Sequence, residues 1–571
     1  MNSAISTILM IATALMCIIT EAIVIFKKGE KEPTGDGIIK KITEWAEKPV
    51  NAIGLLALLF VVFLASRLFH LGITPSGLHV DEMGMAYDAV CLCNEGTDRW
   101  GHAFPVYLDN YHTGQSSLYA YCLAILLKFL PISQRLIRMP AVIAASVAFF
   151  AMFIIGKILT GKKLGGLISS ALMIATPYFL MSERWGLDCN LFLSLATISM
   201  ALLLLALTSE KPLWFIISGL SFGLTLYTYI ISYFVIPLFI IAVVIWYILA
   251  CRQNHKTSGH MISRIVMLIL PIGILGMPLL MEQLVNLGYV KPFRFMGSDY
   301  FVFSEGRTEE IVLSNCFKNV GMLTKQLFSD DELSYNALPG YGPLLKTQVI
   351  LAIYGLYLSV KDVVKKTNVG NTVVLMFAVC GYIINLLMKN PNFNRYNELF
   401  LPILLFSVKA LWQMLCLTRF SGAVSTVSIL GVCICFVLFA KYYYCDMNDE
   451  YNPHLLFYPT EYAGALETAL NSYDPGKDKH IYLEIEYEML ENANLVVAAY
   501  GNVASSDWRA YINGETGNSL GRYDMHFTDS FDENEDAIYI LGTSWNHISD
   551  YICSIGFNDD RRYEHYRILY R

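Results

Sequence analysis

The sequence predicts an all-α polytopic membrane protein of about 12 transmembrane helices with a small C-terminal α/β domain on the extracytoplasmic side. Three observations carry that prediction. Of 571 residues 55% are hydrophobic and only 16% charged, with a mean hydropathy of +0.47, more apolar surface than water would tolerate. Apolar runs of about 17–25 residues, the length that crosses a ~30 Å hydrocarbon core, recur up to about residue 441. Beyond that point β-rich runs such as His480–Ile485 and Ala537–Leu541 alternate with helix-like stretches such as Leu490–Ala499.

The expected spans fall near 4–26, 51–70, 139–158, 165–181, 189–208, 213–230, 231–250, 265–284, 347–361, 371–388, 398–417 and 422–441. The chain divides into three regions. Residues 1–50 form an extra N-terminal helix and a cytoplasmic loop. Residues 51–441 form the transmembrane domain, with outer loops 71–138 and 285–346, and residues 442–571 the extracytoplasmic domain. The first segment, Ser3–Phe26, has no positive stretch ahead of it and ends in Lys27 and Lys28, so it reads as a spanning helix rather than a signal peptide.

Orientation is set by where Lys and Arg collect, because short cytoplasmic loops carry the positive excess. Lys27, Lys28, Lys31, Lys40 and Lys41 mark the first connection as cytoplasmic. Lys157, Lys162 and Lys163, then Arg252, Lys256 and Arg264, then Lys361, Lys365 and Lys366 mark three more. These agree only if the short apolar segment Leu118–Leu130, interrupted by Lys128, lies on the outer leaflet instead of crossing it. The net charge of -7 argues against a nucleic-acid partner, and the 13 cysteines, mostly inside apolar runs and without metal-type pair spacing, read as small hydrophobes.

On this topology the polar clusters collect on the outer face. Asp81 and Glu82 come after the exit of the second helix within Gly77-Leu78-His79-Val80-Asp81-Glu82. A carboxylate at headgroup depth can take a proton from a hydroxyl attacking a sugar's anomeric carbon, and Asp and Glu also cap helix N-termini. Arg184 and Asp188 lie in the turn Ser182–Asn190, where Arg184 suits a phosphate and Asp188 an acceptor or metal. Their i,i+4 spacing equally suits a mutual bridge. Arg395 and Tyr396 open a span at headgroup depth, fitted either to a lipid phosphate or to interfacial anchoring. His112 and Gln115, ahead of the surface segment, and Arg135 and Arg138, after it, are placed to line the same cavity. No cofactor is certain. A divalent metal stays open through His79, His102 and His112, although scattered loop histidines are more often surface residues.

In order, these pieces resemble the GT-C fold glycosyltransferases, specifically the protein O-mannosyltransferase family, glycosyltransferase family 39. The resemblance rests on the Asp81-Glu82 pair, the Leu-Tyr-rich helix from Gly114 to Tyr121 and Arg135-Leu136 to Pro140. It extends through Gly156-Lys157 and Gly161-Lys162, Ala175-Thr176-Pro177, the turn with Ser182, Arg184 and Gly186, and Arg395-Tyr396 ahead of Pro402. It covers about residues 51–441 and implies a polyprenyl-phosphate-linked sugar donor, inverting transfer on the outer face and an acceptor glycan, lipid or protein. It further implies Asp81 as general base, Glu82 in support, and Arg184, Arg138 and Arg395 as ligands of the donor phosphate. Many members carry a Lys just before the Leu-Tyr helix. Here that stretch reads His112-Thr113-Gly114-Gln115. A transporter or flippase of lipid-linked sugars is the rival outside enzymes, but polar groups concentrate at one face rather than at the midplane. An oligosaccharyltransferase-like enzyme is the second rival, and the Trp-Trp-Asp-type element usual there is not matched by Asp507-Trp508.

Overall fold

The computed structural model describes residues 2–26, 38–110, 113–303, 312–326, 338, 341–365, 368–389, 391–416, 421–447, 457–458, 460–474, 476, 478–484, 490–525, 536–542, 546–557, 559–563 and 565–571. They form two compact units. One joins Met1–Phe69, Ala141–Leu280 and Gly306–Glu450, and the other joins His70–Pro140, Met281–Glu305 and Tyr451–Arg571. The stretch His70–Pro140 therefore belongs with the tail and not with the membrane helices.

The first unit is a bundle of apolar helices. Ten helices among the described residues are long and apolar enough to cross a membrane, so the protein spans it many times. Two of the twelve expected runs take another form. The run 165–181 is broken into Lys163–Ala175 and Pro177–Ser182, with Thr176 extended at ψ 121, because a residue before proline avoids the helical region. The run 213–230 is a helix of only 14 residues, Pro212–Thr225. Helices in the bundle approach closely through small residues: a methyl at Gly355 in Lys346–Val364 would lie 1.7 Å from the Phe406 carbonyl oxygen of Phe400–Leu415.

The second unit is built around helix Val80–Asn94, whose residues from Glu82 to Leu92 are all buried. Its apolar side chains pack with Leu123 and Leu136 of the outer loop and with Leu466, Val496 and Trp508 of the tail. The Tyr87 hydroxyl donates to the Val503 carbonyl at 3.2 Å, and its ring meets Trp508 edge-on at 5.1 Å. Helix Leu118–Leu127 has 10 residues and is about 15 Å long, half of what a span needs.

The tail carries a mixed sheet of six strands in the order Asp559–Tyr563, Tyr566–Tyr570, Ala537–Gly542, His480–Glu484, Tyr523–Met525 and Ser519–Leu520. Ala537–Gly542 and Tyr523–Met525 run parallel to His480–Glu484, and the outer pairings are antiparallel. Helices Thr460–Tyr473 and Leu490–Tyr500 complete the α/β domain. A separate short strand pair fixes the approach to Asp81: Leu78–His79 pairs antiparallel with Phe457–Tyr458.

Candidate active site

Helix Val80–Asn94 starts with His79 as its N-cap. His79 Nδ1 accepts from the Asp81 amide at 3.1 Å, while the Glu82 carboxylate reaches back to accept from the His79 amide at 2.9 Å. Glu82 is thus the cap that its position allowed. It is completely buried, and Arg138 donates to both its oxygens, at 3.0 and 3.3 Å. The same guanidinium donates to the carbonyls of Leu71, Pro75 and Gly77 at 3.1, 2.9 and 2.7 Å. Arg138, expected to grip a donor phosphate, instead ties the loop 71–77 to the helix start through a buried ion pair.

Asp81 is the exposed member of the pair, its side chain 40% accessible. Its Oδ1 accepts from Asn110 Nδ2 at 3.0 Å. Asn110 is oriented in turn by Arg99, whose Nη2 lies 2.6 Å from Asn110 Oδ1. A guanidinium has donors only, so the Asn110 oxygen must face Arg99 and its amide must face Asp81, which can meet it only as an acceptor. Arg99 is anchored by the buried Asp88: the Arg99 amide donates to Asp88 Oδ1 at 3.0 Å, and the Arg99 Nε stands 3.6 Å from that oxygen. The chain Asp88, Arg99, Asn110 thus aims Asp81. Asn110 is carried by the hairpin Tyr107–Asn110 and Thr113–Ser116, in which Gln115 is buried opposite Leu108. His112 lies outside the described residues.

Gly84 makes this arrangement possible. A methyl there would stand 2.7 Å from Asn110 Oδ1 and 3.1 Å from an Arg99 guanidinium nitrogen. Gly84→Ala is expected to push Asn110 off Asp81 and to lower turnover by about tenfold to a hundredfold, as misplacement of a reacting group by about 1 Å does. A steady-state assay checks this, with unchanged elution on size exclusion as the folding control.

The buried Asp88 adds a pH dependence. Burial pushes its carboxyl up to about 7, with Arg99 pulling the other way. The folded state therefore holds a proton that the unfolded chain, with an ordinary value of 3.8, releases earlier. Stability contributed by this group falls as pH rises from about 4 to about 7, and the fall is complete above that. The melting temperature of the protein is expected to drop between pH 5 and 8 by more than that of Asp88→Asn, measured by thermal unfolding in detergent. Equal slopes would show that Asp88 does not titrate there.

Of the three histidines considered for a metal, His79 and His102 are engaged elsewhere. His79 caps the helix, and His102 Nδ1 lies 2.9 Å from Asp98 Oδ2 with its ring stacked on Phe301 at 3.5 Å between centroids. Among the described residues no group of three His, Cys, Asp or Glu side chains is arranged to hold a metal ion.

The remaining expected site residues lie in the helical unit. Arg184 is fully buried and donates to the carbonyls of Ser66 and Arg67 at 3.0 and 2.6 Å and to the Tyr443 hydroxyl at 3.2 Å. It therefore closes the end of helix Pro49–Leu68, whose last carbonyls have no partner within the helix. Asp188 opens helix Asp188–Ser209, and its Oδ1 accepts from the Cys189 amide at 2.7 Å. Nearby, the turn holds a buried ion pair that sequence reasoning missed: Arg67 Nε lies 2.7 Å from Glu183 Oε2. Arg395 lies in a turn stabilised by its own amide bonding to Asn392 at 3.1 Å, and its side chain is half-buried. Tyr396 is buried against Phe393 and Phe400.

Asp88, Arg99 and Asn110 were also missed. The one regularity is that Arg99 and Asp88, like Asn110 and Arg99, stand eleven residues apart, a helical spacing without meaning here because helix Val80–Asn94 ends before Arg99. Three charged or amide side chains held inside are informative only once their burial is known.

The fold and this polar site define a many-spanned membrane protein with a carboxylate-centred site in its polar unit. Residues 115–275 match the family model of dolichyl-phosphate-mannose-protein mannosyltransferases, a stretch that runs from the hairpin into helix Ser258–Asn286. No curated protein matches the sequence. Among solved structures, ArnT from Cupriavidus metallidurans bound to undecaprenyl phosphate is similar at 9% identity and a TM-score of 0.49, over 90% of this chain and 97% of that one. The apo oligosaccharyltransferase of Archaeoglobus fulgidus is similar at 11% identity and a TM-score of 0.47, over 89% and 71%.

Proposed function

We propose that the protein is a membrane glycosyltransferase that moves a sugar from a polyprenyl-phosphate donor to an acceptor hydroxyl on the outer face of the cell membrane. The observation that carries this reading is Asp81: a half-exposed carboxylate at a helix start, held by Asn110 in an accepting role above a fully buried ionic base. The family match over residues 115–275 supports the donor class. The collection of Lys and Arg at the opposite ends of the helices supports the outer face.

In this mechanism the acceptor oxygen attacks the anomeric carbon from the side opposite the phosphate, and Asp81 takes its proton as the new C–O bond forms. The bond to the phosphate oxygen breaks with its electron pair, polyprenyl phosphate leaves as the anion, and the anomeric centre inverts. Phosphate is a good leaving group as an anion, so the step needs one base and no matching acid. Glu82 and Arg138 act as positioning residues, because neither has an exposed surface. Within the helical unit Arg184 is spent on carbonyl oxygens, whereas the Arg395 side chain is only half-buried.

Mass spectrometry of a lipid extract from the purified protein tests the donor class. A co-purified polyprenyl-phosphate sugar is the expected result. Turnover with a nucleotide sugar alone, in lipid-free protein, would overturn the reading.

A further inference from the structure

The helical unit holds a second feature unrelated to Asp81. A cavity of about 520 Å³ opens between the ends of four helices, Asp188–Ser209, Ser232–Gln253, Lys346–Val364 and Val369–Leu386. These are ends where Lys and Arg collect. Leu207, Trp246, Leu249 and Val363 form an apolar part of its wall, beside the polar Gln253, Asn254, Asn368 and Thr372. Leu249 is 53% exposed and Ile245, one turn back on the same helix, 54%, so the wall continues onto a face suited to lipid chains.

The rim is basic. Glu210, in the left-handed conformation that ends Asp188–Ser209, accepts from Lys256 Nζ at 2.7 Å and from the Tyr247 hydroxyl at 2.9 Å, with His260 Nε2 at 3.2 Å. Arg264 Nε donates to the Glu210 carbonyl at 3.2 Å. Glu210 thus gathers Lys256 and His260 at its carboxylate and Arg264 at its backbone carbonyl, and Arg252 is exposed on the adjoining helix end. Positive charge is left over at the mouth. Lys256 keeps donors beyond the one given to Glu210, and its side chain is 31% accessible.

We propose that this cavity binds one anionic phospholipid, the phosphodiester at Lys256 and Arg252 and an acyl chain along Trp246 and Leu249. An apolar stretch of wall beneath a basic rim rejects a soluble anion, which gains nothing from that stretch, and disfavours a zwitterionic headgroup, whose cation the rim repels. Basic pockets between spanning helices on the positively flanked side recognise lipid headgroups by this combination. The site does not depend on the glycosyltransferase reading.

The test uses the full chain in detergent and phospholipids with brominated tails, read as quenching of Trp246 fluorescence with Trp246→Phe as the blank. Brominated phosphatidylglycerol is expected to quench saturably, and brominated phosphatidylcholine no more than in the blank. Lys256→Gln is expected to weaken phosphatidylglycerol about fivefold, the worth of one basic residue near a lipid headgroup. Val363→Trp, which fills the cavity while leaving the rim intact, is expected to abolish saturation and covers the case in which Lys256→Gln fails to fold. Equal quenching by both lipids would reduce the site to boundary lipid and overturn the proposal. Displacement by millimolar inorganic phosphate would assign a free-phosphate site instead, and binding unchanged in Val363→Trp would remove the cavity from it.

Discussion

Asp81→Asn is expected to lower sugar transfer by about 10²–10⁴-fold, the contribution of a positioned general base, while leaving the fold intact. An amide is isosteric with the carboxylate, and at 40% exposure its introduction strands no buried charge. The Asn110 amide can still donate to the new side-chain oxygen, so the helix start keeps its geometry. Donor binding should be unchanged, and the loss should fall on kcat rather than KM. Radiolabelled transfer in liposomes, alongside a donor-binding measurement, separates these. Full turnover in the variant would end the assignment of Asp81 as base.

Arg138→Ala is expected to act through stability. It strands the buried Glu82 carboxylate and the Leu71 carbonyl, while Gln134 Nε2 still donates to the carbonyls of Pro75 and Gly77. Breaking a buried pair by removing one partner costs about 3–5 kcal/mol, and the protein should lose its folded peak on fluorescence-detected size exclusion well below the wild-type temperature. The double variant Glu82→Leu with Arg138→Met replaces both charges with apolar groups of similar size. It should recover a large part of that loss, because a matched apolar pair removes the stranded charge. Recovery of stability without recovery of turnover would mark the pair as the support of Asp81, and full turnover in the double variant would show that the support is dispensable.

Why was Asp81 legible in the sequence and its support not? Adjacent acids after a span stand out by local pattern alone, and local pattern equally allowed a cap. The structure makes Glu82 the cap and leaves Asp81 exposed, a split set by which side of the helix start faces Arg138. Arg138, Arg99 and Asn110 reach that helix from 56, 11 and 29 residues away, and no periodicity links such positions. Hydropathy found the bundle but not the break at Thr176-Pro177, because it sums residues and is blind to where a helix is interrupted. In the tail, the runs at 480 and 537 were readable as strands. Their parallel register was not, since pairing across more than fifty residues is decided by packing and not by composition.

The reliance of helix Val80–Asn94 on the tail has a consequence for biogenesis. Tyr87 bonds to Val503, 416 positions later, and the strand leading into Asp81 pairs with Phe457–Tyr458. At the usual pace of about 5–20 residues per second, roughly 20–80 s pass on the ribosome between the two. Throughout that interval the bundle can insert while helix Val80–Asn94 has Leu123 and Leu136 to pack on but lacks the part of its apolar cover that Leu466, Val496 and Trp508 supply. Chains truncated ahead of residue 457 would keep the spanning helices but lack the strand that pairs with Leu78–His79 ahead of Asp81.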